Sequence, residues 1–154
     1  MTKQITLFSV VILLTCIIGY ALAGDGHKQF SITDQEKVVA LTILAEARGE
    51  GERGMYAVAA VIAQRAHEKK MSPKEICLKR KQFSCWNNKT VKDLEHLFKT
   101  KQSKYALTLA RNVMHLSREF TGFANHYHNN KVTPYWSKGV KPTKVIGNHI
   151  FYKL

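Results

Sequence analysis

The sequence predicts a predominantly α-helical domain carrying a small antiparallel β-sheet. Three observations lead there. Apolar residues recur at helical spacing from Thr33 to about Lys70, and again from Ser103. From Gly122 onward the chain changes to short aromatic and β-branched stretches separated by turn residues. Finally, the chain from Gly24 to Leu154 is long enough for a single core and too short for two, and no Pro/Gly/Ser-rich linker, internal repeat or low-complexity tract divides it.

The N-terminal stretch stands apart from the fold. Lys3 precedes an apolar run from Ile5 to Tyr20, which ends in Ala21-Leu22-Ala23. That is the pattern of a secretory signal peptide cleaved after Ala23, leaving a domain at 24–154. An uncleaved anchor is the alternative, since the run falls just short of a spanning helix. Either way the expected place is outside the cytoplasm, in the periplasm or the extracellular space.

Within the domain, Thr33 with Glu36 three residues later is a capping box, and Ile32 sits where a hydrophobic staple would. The helix it opens carries Val38, Val39, Leu41, Ile43 and Leu44, too apolar for a surface helix, and Gly49 is its natural stop. A second helix begins near Glu52, with Met55, Val58, Ala59, Ile62 and Ala66 at helical spacing. Ser72-Pro73 opens a short third helix. Lys92 to Leu97 suggests another, and Tyr105 to Leu116 predicts a long amphipathic helix over about Ser103 to Phe120.

Charge and cysteine content narrow the setting. A formal net charge of +13 seeks polyanions. For an exported protein these are anionic envelope polymers and not a specific nucleic acid, although a basic face serving only solubility is the blander reading. Once Cys16 leaves with the signal, Cys77 and Cys85 form an even pair eight residues apart. In an exported protein such a pair predicts one disulfide closing a short loop.

Three groups of residues offer chemistry. Glu46 falls near the end of the first helix beside Leu44, Ala45 and Ala47. An apolar wall favours the neutral form of a carboxyl, as a general acid requires. Glu50 is four residues on and shares that face only if the helix continues through Gly49. A solvated acidic helix end explains both acids equally well. In "QFSCW", Phe83 and Trp86 could form a stacking platform for sugar rings, with Gln82 and Ser84 as hydrogen-bonding groups, or Trp86 could simply cover the core. In "NHYHNN", His126 and His128 alternate onto one strand face. With His149 from a paired strand they could bind zinc, or they could be a hydrogen-bonded or substrate-contacting pair. No nucleophile elbow, phosphate loop or dinucleotide fingerprint is present.

Taken together and in order, "ILAEARGEGERGMYAVAAVIAQR", "ICLKRKQFSCW", "HYHNNKVTPYW" and "KVIGNHIFYK" resemble the spore-cortex-lytic, cell-wall hydrolase family of SleB/CwlJ type. The likeness runs from about Asp34 to Lys153. It implies a lysozyme-like, lytic-transglycosylase-related α+β domain acting as a peptidoglycan hydrolase on glycan strands, as a monomer and with no cofactor or metal. By the same resemblance the single catalytic acid falls on Glu46. Gln82, Phe83, Ser84 and Trp86 are similar to a glycan-cleft loop, and His126, Tyr127, His128, His149 and Tyr152 to cleft-floor strands. Glu50 joins them as a substrate-binding candidate, and Glu50 or Glu52 could instead position water in a conventional two-carboxylate hydrolase. Phe123 and Asn125 depart from the small-residue character usual before the histidines. Two alternatives stay open: a zinc-dependent amidase built on the three histidines, and a non-catalytic basic wall-binding module.

Overall fold

Five α-helices and a three-stranded sheet, joined by several 3-10 turns, make up residues 31–154, the part described in this computed structural model. The segment read as a signal peptide, 1–23, lies outside the described residues. Helix α1 spans Asp34–Ala47 and opens on the expected box, with Thr33 Oγ1 accepting from Glu36 N and Glu36 Oε2 accepting from Thr33 N. Its residues Val38 to Leu44 are buried, so it is a core helix packed against the others on all sides. Helix α2 spans Gly51–Lys69, and its alanines at 59, 63 and 66 share the main core cluster with α1 and allow close approach to it. A 3-10 turn at Arg48–Glu50 separates the two.

Helix α3, Pro73–Leu78, is capped by a second box, Ser72 with Glu75. Helix α4 is short, Val91–Leu94, and runs into a 3-10 turn at Glu95–Lys99. Helix α5 covers only Ser103–Arg111, shorter than the predicted span to Phe120. Asn112 stops it: its Nδ2 donates to Thr108 O, and the chain continues as 3-10 turns at Val113–His115 and Arg118–Thr121. Apolar spacing persists through those turns, which explains the overlong prediction.

The sheet has the order β1-β3-β2, with β1 at His126–Asn129, β2 at Lys144–Ile146 and β3 at His149–Tyr152, all antiparallel. Gly147-Asn148 links β2 to β3 as a two-residue loop, with Gly147 at φ +57°. A small cluster of Ala57, Val61, Ala124, Ile146 and Phe151 fastens the sheet to α2. The main core lies between the helices, and Tyr127 packs against both clusters. Among the described residues no helix is long and apolar enough to cross a membrane.

The cysteines correct an expectation: Cys77 and Cys85 are both free thiols. Cys77 is fully buried in α3, while Cys85 is half-buried beside Glu46, whose Oε1 accepts from its backbone N. Burial pushes the Cys77 thiol up to about 12, and burial together with the Glu46 charge drives Cys85 well above the ordinary thiol range. Both stay protonated and unreactive at neutral pH.

Candidate active site

Glu46 occupies the last turn of α1, half-buried, at the wall of a pocket of about 440 Å³. The pocket is lined by Ala45, Arg48, Ser84, Cys85, Lys89, Leu94, His96 and Leu97 besides Glu46 itself. Glu46 Oε2 accepts from Tyr127 Oη at 2.9 Å, and Oε1 accepts from Cys85 N at 3.4 Å. The environment is thus less apolar than the neighbouring residues in sequence suggest, because the sheet and the "QFSCW" loop each bring a donor. Tyr127 is a dependable one: burial first, then the adjacent Glu46 charge, hold its phenol well above the usual range, so its hydroxyl keeps its proton. Two larger grooves adjoin this pocket, of about 670 Å³ and 480 Å³, the first sharing His96 with it and the second Arg48.

Glu50, four residues on, has a different position. The 3-10 turn breaks the face it would share with Glu46, and both its oxygens are taken by Asn148: Oε2 by the backbone N at 2.8 Å, Oε1 by Nδ2 at 3.1 Å. These bonds hold its carboxyl below the usual range. Two glycines make room for it. A Cβ at Gly54 would stand 2.2 Å from Glu50 Cβ, and one at Gly147 would stand 2.3 Å from Glu50 Oε2. Glu50 is therefore occupied in fastening the start of α2 to the β2-β3 turn, and it does not line the Glu46 pocket.

The "QFSCW" loop divides as well. Ser84 is exposed and lines the pocket. Phe83, only 3% exposed, lies in the core under the Arg65 guanidinium, 5.0 Å from its ring centroid. It cannot stack on a sugar. Trp86 is half-buried against the core and donates from Nε1 to Thr42 Oγ1 at 2.9 Å, so it covers the helices as the second reading allowed. Gln82 contributes its carbonyl to Arg65 Nη1 at 3.2 Å. Arg65 Nε also donates to Asn125 O at 2.7 Å. This buried arginine joins the loop to the entrance of β1.

The sheet separates the predicted histidines by its two-residue period. Tyr127 faces Glu46, and in β3 its partner Phe151 and nearby His149 share that face, with the Tyr127 and His149 ring centroids 5.0 Å apart. His126, His128 and Tyr152 face the other way. There His128 Nε2 and Tyr152 Oη are 3.1 Å apart, and Trp136 packs its indole against all three rings. The three-histidine zinc arrangement thus fails on geometry, since His149 is on the opposite face from the other two. Among the described residues no group of three His, Cys, Asp or Glu side chains is placed to hold a metal. His149 is buried, its Nδ1 has no hydrogen-bond partner, and burial lowers its pKa against the pull of Glu50 and Glu46.

Sequence reasoning missed Arg48, Lys89 and His96 as pocket residues, Arg65 and Asn148 as organisers, and Trp136 on the outer sheet face. Only Trp136 had a signal, as an aromatic within a quoted block. Asn125, a departure from the expected pattern, is buried, with its side chain bonded to Glu68 and to both backbone groups of Leu154.

The chain matches the family model described as Cell Wall Hydrolase over residues 49–152, a segment that begins three residues after Glu46. Its fold is similar to the crystal structure of the catalytic domain of the Bacillus cereus SleB protein, with a TM-score of 0.60 and 25% identity over 80% of this chain and 94% of that one. No curated protein matches it significantly.

Proposed function

The chain belongs to the cell wall hydrolase family, and from that premise we propose that it cleaves the glycan backbone of peptidoglycan as a lytic transglycosylase, with Glu46 as its one acid and base. The observation that carries this reading is a single carboxylate in the pocket, oriented by Tyr127 Oη at 2.9 Å. Two larger hollows share His96 and Arg48 with this pocket, and hollow surface beyond a single pocket suits an extended polymer better than a small metabolite.

In the proposed reaction, protonated Glu46 gives its proton to the glycosidic oxygen between N-acetylmuramic acid and N-acetylglucosamine. The bond from the anomeric carbon to that oxygen breaks, and an oxocarbenium-like centre develops. The Glu46 carboxylate then takes the proton of the muramoyl C6 hydroxyl, whose oxygen bonds to the anomeric carbon. Glu46 ends protonated again, no water is consumed, and the product carries an anhydro end. Tyr127 holds the carboxylate in place through both transfers. A two-carboxylate hydrolase would need Glu50 or Glu52 across the scissile bond; Asn148 already occupies Glu50, and Glu52 lines the adjoining hollow and not the Glu46 pocket.

The protein meets this substrate outside the cytoplasm, for which residues 1–23 are the proposed export signal. Its charge, +13 for the whole chain and one less once Lys3 leaves with the signal, retains it at anionic wall polymers. Mass spectrometry of muropeptides after digestion tests the reading: anhydro-muramoyl ends are expected. Reducing ends would indicate ordinary hydrolysis, and freed stem peptides would indicate an amidase.

A further inference from the structure

Charge is unevenly divided along the chain. Every Asp and Glu precedes Phe120, whereas the stretch from Phe120 to Leu154 carries five lysines and no arginine. Lys153 is paired with Glu68, the acid that also receives Asn125 at the entrance of β1. Lys131, Lys138 and Lys141 lie in the segment joining β1 to β2, are exposed, and form no ion pair among the described residues. Beside them Tyr135 is 88% exposed, with Lys138 Nζ 5.7 Å from its ring centroid. A ring so exposed has no share in the core. The segment that presents it is nonetheless fastened. Trp136, next to Tyr135 in a 3-10 turn at Tyr135–Ser137, packs on His126, His128 and Tyr152. Ser137 Oγ donates to Pro134 O at 2.8 Å, Lys131 N to Asn129 Oδ1 at 3.0 Å, and Thr143 Oγ1 to Thr121 O at 2.7 Å. The turn is thus fixed to the sheet face that looks away from Tyr127 and Glu46.

We propose that the loop from Lys131 to Lys141 docks the protein on a phosphodiester polymer of the cell envelope, with phosphates against Lys131, Lys138 and Lys141 and the polyol units against Tyr135. Lysine meets a phosphate as a point charge, without the planar fork that arginine offers a carboxylate. Three such charges on one loop suit a flexible chain of repeated single charges. Because the loop is already fastened, binding requires little ordering of its backbone, and a polymer held on this face leaves the Glu46 pocket open. The choice of partner follows from the exported setting, so the inference rests on the proposed function above and adds to it a place of attachment. Nucleic acid and anionic lipid carry phosphates too, and the test sets both against the polymer. Exposure of the three lysines keeps each contribution modest and salt-sensitive.

Fluorescence anisotropy of labelled poly(glycerol phosphate), titrated with the protein, reads binding without turnover. Wild type is expected to bind with an affinity that falls as salt rises. Combining Lys131→Gln, Lys138→Gln and Lys141→Gln should weaken binding about tenfold, the joint scale of three exposed ion pairs, and arginine at the same three positions should restore it. Tyr135→Ala should weaken it by a smaller factor. Combining Lys79→Gln, Arg80→Gln and Lys81→Gln removes the same charge from another exposed loop and should weaken binding less. Equal losses from the two triple variants, no binding of the polymer, or tighter binding at equal phosphate of single-stranded DNA or of phosphatidylglycerol vesicles overturns the proposal. Wild type and the loop variant should cut soluble, phosphate-free glycan strands at the same rate, and loss of that cutting in the loop variant would likewise overturn it. A wild type that binds the polymer through these lysines yet cuts no strand would instead overturn the proposed reaction and leave the docking surface standing.

Discussion

The last turn of α1 and the start of α2 each present a glutamate, four residues apart in sequence, in opposite circumstances. Glu46 is half-buried at a pocket wall, held by one firm donor and one long one, with open volume beside it. Glu50 is filled on both oxygens by Asn148 and enclosed by Gly54 and Gly147. The difference teaches that a carboxylate's function follows from what is left of its hydrogen-bonding capacity after folding. One acid has capacity for a ligand and the other has been spent on architecture.

Apart from loss of Glu46 itself, the largest expected effect is from Tyr127→Phe. It removes the 2.9 Å donor while keeping the ring packed on Phe151 and His149. Turnover should fall about tenfold or more, since a hydrogen bond to a charged group is worth roughly 1.5–3 kcal/mol. Steady-state assays on purified strands check it, with kcat moving more than KM. An unchanged kcat would mean that Glu46 needs no such support.

Next is Gly147→Ala, aimed at the other glutamate. A methyl group there meets Glu50 Oε2 at 2.3 Å, on a backbone at φ +57°. Strain and the lost Asn148 bonds should cost about 2 kcal/mol of stability, read as a lower denaturation midpoint. A subtler effect is in the pH dependence of Glu50→Gln. The folded value of Glu50 is lowered from an ordinary 4.5. Its stabilising contribution is therefore complete above that ordinary value and disappears as pH falls through the lowered one. The stability gap between wild type and Glu50→Gln should close in that acid window, as denaturant titrations across pH would show. The smallest effect concerns the free thiols: reductant should alter neither the melting temperature nor activity, and a drop in either would reveal a disulfide.

The sequence made local devices legible and left tertiary choices hidden. The box at Thr33 is read within four residues and forms as expected, and Ser72-Pro73 opens its helix as expected, with Glu75 completing a box there as well. Glu46 was identifiable as an acid among apolar neighbours, but Tyr127 and Cys85, its donors, come from far along the chain. Aromatic content in "QFSCW" could not say whether Phe83 meets a sugar or the core, because Arg65 on another helix decides that. Alternation put His126 and His128 together, yet only the register with β3 shows His149 on the reverse face. The cysteine spacing was suggestive, yet both thiols are free, one buried in α3 and the other half-buried beside Glu46, and spacing alone does not show where each side chain lies.

The most direct measurement counts new glycan chain ends released by Glu46→Gln and by Glu50→Gln at equal concentrations of folded protein, with circular dichroism confirming the fold of each. The account predicts that Glu46→Gln loses at least about a hundredfold in rate, the scale of a lost general acid, with its melting temperature preserved. Glu50→Gln should retain most of its turnover per folded molecule and melt earlier. Undiminished release by folded Glu46→Gln, or loss of release confined to Glu50→Gln, would contradict it.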